Sequence, residues 1–183
     1  MATDRAANGF VMRLIGAISL DVAIYEEVEA DRGGTGQALI VVLLSSVATG
    51  IGARGFGDVT AGSVLSFSAI ALIGWAAWAL LTFEIGYRLM PAPQTRADVG
   101  ELLRTTGFAS TPALFRVFGI MPGATIPVFV ATMVWSIVAM IVAVRQALDY
   151  TSTPRAIAVC VFGWALAFGF VVIIGLFFGP TLS

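Results

Sequence analysis

The chain has 183 residues, 58% of them apolar and 11% charged, with a mean hydropathy of +0.96. A soluble domain carries about a quarter charged residues, so this composition belongs to the membrane class. A net charge of −1 leaves no basic surplus for nucleic acid, and ten arginines without lysine or histidine exclude histidine bases, histidine metal ligands and Schiff-base lysines.

Residues 1–33 read as a cytoplasmic or interfacial segment. Phe10, Leu14, Ile18, Val22 and Tyr25 recur at helical spacing with Val11 and Ile15 beside them, while Arg13 and Asp21 point elsewhere. This pattern predicts an amphipathic helix at the membrane interface or packed on a bundle. No small-residue cleavage site follows it, so no cleavable signal is expected. The acidic run Glu26, Glu27, Glu29 and Asp31 reads as a solvated face.

Residues 34–183 read as five transmembrane helices, which makes the fold class an all-α integral membrane protein. The runs 36–53, 59–83 (continuing through Glu84 to Arg88), 124–144 and 156–178 lack charge in their apolar centres, and each approaches or exceeds the roughly 20 residues a crossing needs. A fifth crossing, third in chain order, covers 101–121. It requires Arg104 and Arg116 to extend toward the headgroups. With the N-terminus inside, Arg5, Arg13, Arg32, Arg88, Arg96, Arg104, Arg145 and Arg155 are cytoplasmic, and only Arg54 and Arg116 are external. The positive-inside rule then gives a cytoplasmic N-terminus and an external C-terminus in the cell's inner membrane.

Small residues four apart, Ser46/Gly50, Ala48/Gly52, Gly163/Ala167 and Ala165/Gly169, predict close helix packing, within the chain or in a homo-oligomer. Pro112 interrupts the third crossing, and nearby Thr or Ser hydroxyls are available for the carbonyl it frees. Pro122 and Gly123 turn the chain toward the fourth.

Catalytic constellations are missing. Gly55-Phe56-Gly57-Asp58 matches the GxGD string of intramembrane aspartyl proteases, but no second aspartate lies inside a span to share a proton with Asp58. Residues 107–110 have no histidine or lysine to activate a serine. Cys160, the single cysteine, lies in an apolar run and can form neither an intrachain disulfide nor a cysteine metal site. No enzyme activity, metal or cofactor is expected.

The polar residues of interest gather at the cytoplasmic helix ends: Glu84 with Arg88, Glu101 with Arg104, and Arg145 with Asp149. They predict an inner-leaflet cluster that either fixes helix positions by ion pairing or binds a lipid headgroup, proton or solute. Glu84 is the most deeply placed acid.

The stretch LLRTTGFASTPALFRVFGIMPG (102–123), a long span containing Trp135, and VRQALDYTSTPRAIAV (144–159) together resemble the Yip family of Ypt/Rab-interacting membrane proteins, and within it the prokaryotic branch. The resemblance covers about residues 36–172. It implies five crossings and a cytosolic N-terminus, and an association with other membrane proteins. Eukaryotic relatives bind Rab-type GTPases in vesicle trafficking and carry an Asp-Leu-Tyr-Gly-Pro-like motif. Residues 21–27 keep an Asp and a Tyr without the Gly-Pro, so Rab-type binding is not carried over. The Ala, Gly and Arg bias points to a GC-rich bacterial genome. The function expected is a non-catalytic protein that organises or scaffolds membrane components, or an accessory subunit of a membrane complex. The competing reading is a small transporter or lipid-handling protein that uses the charged cluster.

Overall fold

The computed structural model describes residues 8–57 and 59–178, with the side chains of Phe67 and 170–178 excepted. Every regular element among them is helical: α1 Phe10–Ile18, α2 Val22–Ala30, α3 Thr35–Gly52, α4 Ala61–Phe83, α5 Val99–Phe108, a 3-10 segment Thr111–Ile120, α6 Thr125–Ala147 and α7 Thr153–Phe178. Among the described residues, three helical stretches, 32–56, 61–89 and 125–147, are long and apolar enough to cross a membrane. The third predicted crossing is not one continuous α-helix but α5 followed by the 3-10 segment.

The single N-terminal helix expected from periodicity is two helices. The chain reverses at Leu20, which has φ +60, and Asp21 starts α2 by accepting a hydrogen bond from the Ala23 N–H at 3.0 Å. Trp135 Nε1 donates to the Ile18 carbonyl at 3.0 Å, satisfying one of the acceptors left at the end of α1. Phe10 and Leu14 of the expected stripe pack against the core, as does Tyr25 of α2. Arg13 is buried with Gly16 and Ala17, while Val11, Met12 and Ile15 are exposed.

α3 is the central helix, packed by the 3-10 segment, α4 and α5; α6 packs on the 3-10 segment, α5, α2 and α7. Two apolar clusters hold this arrangement. One joins Ala17, Tyr25, Val28, Ala38, Val41 and Phe108; the other joins Leu102, Val144, Leu148, Tyr150, Val159 and Cys160.

Gly50, Gly52 and Gly163 of the predicted small-residue pairs make close contacts inside the chain, whereas a Cβ at Gly169 would meet nothing within 4 Å. A Cβ at Gly50 would meet Val64, and one at Gly163 would meet Trp78. Gly52 allows the closest approach, because a Cβ there would lie 1.8 Å from the Arg116 carbonyl oxygen. Helix α5 ends before Pro112, and the Thr111 hydroxyl donates to the Phe108 carbonyl, an acceptor at the break. Gly123 turns the chain with φ +77.

Candidate functional site

The six predicted cluster residues divide into separate groups. Glu84 and Arg88 lie on a π turn, Glu84–Leu89, that extends α4. They pair with each other at 3.1 Å, with side chains 48% and 67% exposed respectively. Neither lines any of the three cavities described. From Ala61 to Glu84 an α-helix rises about 34 Å, more than the roughly 30 Å hydrocarbon core. A helix entering the core near Ala61 therefore reaches the headgroups before Glu84. Glu84→Gln is expected to lower detergent stability by less than about 1 kcal/mol, a melting shift of at most roughly 2–4 °C. A loss of several kcal/mol in a thermal melt would mean that Glu84 has a buried partner instead.

Glu101 and Arg104 serve α5. Glu101 completes a capping box with Asp98: its carboxylate accepts from the Asp98 N–H and its own N–H donates to Asp98 Oδ1, each at 2.8 Å. Arg104, 5% exposed, donates from Nε to the Val28 and Glu29 carbonyls at 3.2 and 3.0 Å. It thereby supplies donors to two carbonyls of the C-terminal turn of α2, where intrahelical N–H partners run out.

Arg145 and Asp149 turn to backbone rather than to each other. Arg145 Nε donates to the Tyr150 carbonyl at 3.2 Å, and Asp149 Oδ2 accepts from the Arg96 N–H at 3.1 Å. Both line a cavity of about 430 Å³ with Glu26, Glu29 and Gln146. Glu29 is the most perturbed acid of that group. Burial, then repulsion from Glu101, Asp149 and Glu26, raises its pKa to about 7 against the attraction of Arg104.

The strongest ionic feature was not predicted. Arg13, 1% exposed, donates from Nε to Glu27 at 3.0 Å and from one terminal nitrogen to Gln37 at 3.0 Å, and pairs with Asp31 at 2.7 Å. Asp31 is held below the usual carboxylate range, chiefly by its hydrogen bond from Arg13. Burial pushes Glu27 up, but hydrogen bonds from Asn8 and Arg13 outweigh it and leave a net lowering. Because Gln37 belongs to α3, the triad ties α1 and α2 to the central helix. A signal was available in the sequence: Arg13 is the only charge between Phe10 and Leu20, with acids following on the next helix.

The GxGD reading falls on Asp58, which lies outside the described residues. Among those described, no group of three or more metal-ligating side chains occurs.

Apolar helices of membrane-crossing length, with polar pairs gathered near helix ends, define an all-helical integral membrane protein. The Yip1 domain family model matches residues 22–174, and the chain belongs to this family. No curated protein and no solved structure matches it.

Proposed function

We propose that this Yip1 family member is a non-catalytic organiser of membrane components, working as a scaffold or as an accessory subunit of a larger complex. The carrying observation is the use made of the polar side chains. Arg13 and Arg104 are engaged in fastening α1 and α2 to α3 and α5, rather than in lining an open path. The outward faces of α4 and α6 carry large apolar side chains, Leu65, Ile70 and Ile73 on the first and Met133, Val134 and Val138 on the second. These surfaces suit lipids and the helices of other membrane proteins, including a second copy of this chain. Nucleic acid and Rab-type GTPases are not among the partners proposed.

The proposed topology has five crossings, with the N-terminus cytoplasmic, the C-terminus external and α1 at the interface, in a bacterial inner membrane. The chain is placed in the prokaryotic branch of the family. Geometry supports the third crossing. Ten α-helical residues rise about 15 Å and ten 3-10 residues about 20 Å, so α5 and the 3-10 segment together can traverse the roughly 30 Å core despite their break. The exposed Val11, Met12 and Ile15 support an interfacial α1. A reporter fused after Ser183 should read external and one near Ala92 cytoplasmic; a cytoplasmic C-terminus would remove the five-crossing reading.

Purification in mild detergent followed by quantitative mass spectrometry tests the function. A membrane protein, or a second copy, at fixed stoichiometry is expected. A monodisperse monomer carrying lipid alone, from membranes in which cross-linking also captures nothing, would overturn the organising role.

A further inference from the structure

A second polar feature lies away from the charged end of the fold. A cavity of about 570 Å³ opens between α3, α4, α6, α7 and the 3-10 segment, within the size range of small-ligand pockets. Its walls are mostly apolar, with Val42, Ala71, Trp75, Met140 and Trp164 among them. Gly74, also in its lining, is exposed, and a Cβ there would meet nothing within 4 Å. Its neighbours Ile70 and Ile73 are 63% and 71% exposed on a helix apolar enough to span a membrane. The rim at Gly74 therefore faces the bilayer.

One cation stands in this cavity. Arg116, half-buried, donates from Nε to Thr132 Oγ1 at 3.2 Å and from one terminal nitrogen to Thr49 Oγ1 at 3.4 Å. A guanidinium has five N–H donors, and these two bonds leave three without a partner among the described residues. No carboxylate among the described residues lies within ion-pairing distance of it. Its guanidinium carbon lies 5.6 Å from the centre of the Phe129 ring, which attracts it but does not neutralise it. A cation with no carboxylate partner among the described residues, set in an apolar chamber, favours an anionic guest.

We propose that this cavity takes one acyl chain of an anionic phospholipid from the bilayer, with the lipid phosphate held by Arg116. The chain enters past Gly74 and lies against Trp75 and Trp164, while the Arg116 fork, assisted by Thr49, meets the phosphate oxygens. This site is separate from the charged groups of the N-terminal clamp and does not depend on the organising role.

Three of the four tryptophans, Trp75, Trp78 and Trp164, line the cavity, so intrinsic fluorescence reports on it. The full chain is placed in nanodiscs of phosphatidylcholine containing a few per cent of a lipid brominated on its acyl chain. Brominated phosphatidylglycerol should quench severalfold more than brominated phosphatidylcholine at equal mole fraction. Both Arg116→Gln and Gly74→Phe should remove that excess; the second obstructs the rim and keeps the charge. Millimolar inorganic phosphate should leave the excess unchanged. Equal quenching by the two lipids would overturn the proposal, as would an excess that survives Gly74→Phe. If Arg116→Gln fails to fold, Gly74→Phe with unchanged helicity decides the matter. An excess retained in folded Arg116→Gln would remove Arg116 from the site, and displacement by phosphate would make it a small-anion site instead.

Discussion

Arg13→Gln is expected to destabilise the protein in detergent by about 3 kcal/mol and to loosen α1 and α2 selectively. Breaking a buried pair by removing one partner typically costs about 3–5 kcal/mol, whereas exposed pairs contribute about 1 kcal/mol or less. Arg13 belongs to the first class, being 1% exposed. Its partners Glu27 and Asp31, with side chains 25% and 38% exposed, hold the expected loss at the lower end of that range. The variant leaves two carboxylates and Gln37 of α3 without their shared donor. Hydrogen exchange should therefore rise in residues 10–30 and change little in α3 and α6. Adding Asp31→Asn should recover part of the loss by removing one of the stranded charges. A melting temperature and exchange pattern identical to the parent's would remove the clamp.

Glu29→Gln should stabilise the protein by about 1–2 kcal/mol at pH 8 and have little effect below pH 4.5. The folded-state pKa of about 7 stands above the ordinary 4.5 because burial and the nearby Glu101, Asp149 and Glu26 oppose ionisation. The folded state therefore binds this proton more tightly than the unfolded chain does. The resulting stabilisation is complete below pH 4.5 and is lost as pH rises through 7. A shift of one unit corresponds to about 1.4 kcal/mol, reduced here for partial solvent screening. Glutamine imitates the protonated acid, so the variant's advantage grows with pH. Thermal melts from pH 4 to pH 8 that run parallel for parent and variant would show Glu29 to be an ordinary carboxylate.

Membrane character, the break at Pro112 and the internal use of small residues were all legible in the sequence, since composition, ring geometry and side-chain volume act locally. The burial of Arg13 was not. Apolar periodicity marks a face without saying whether it meets a protein core or lipid, and where lipid is available the polar side can turn inward. Arg13 therefore lies against the bundle while Val11 and Ile15 face out. The six-residue cluster was inferred from linear proximity to helix ends, but helix ends can lie on different sides of a bundle. Glu84 and Arg88 accordingly pair alone, and Arg104 is taken up by the end of α2. Arg116 carried a topological signal in the sequence; its hydroxyl partners, 16 and 67 residues away, carried no local one.

The π turn at 84–89 also bears on how length changes are absorbed. Its wider ring, with the Met90 N–H donating to the Ile85 carbonyl at 2.8 Å, holds more chain per turn than an α-helix. The Gly86 and Met90 carbonyls both accept from the Tyr150 hydroxyl, at 2.9 and 2.8 Å, in the connection between α6 and α7. A one-residue deletion between 84 and 89 could be taken up there by tightening to α geometry, leaving Ala61–Phe83 in phase with α3 and α7. The same deletion higher in α4 would rotate every later residue by about 100° and carry Trp78 away from Gly163. The foot of α4 is thus a tolerant joint in the reading frame of the fold, and its upper turns are an intolerant one.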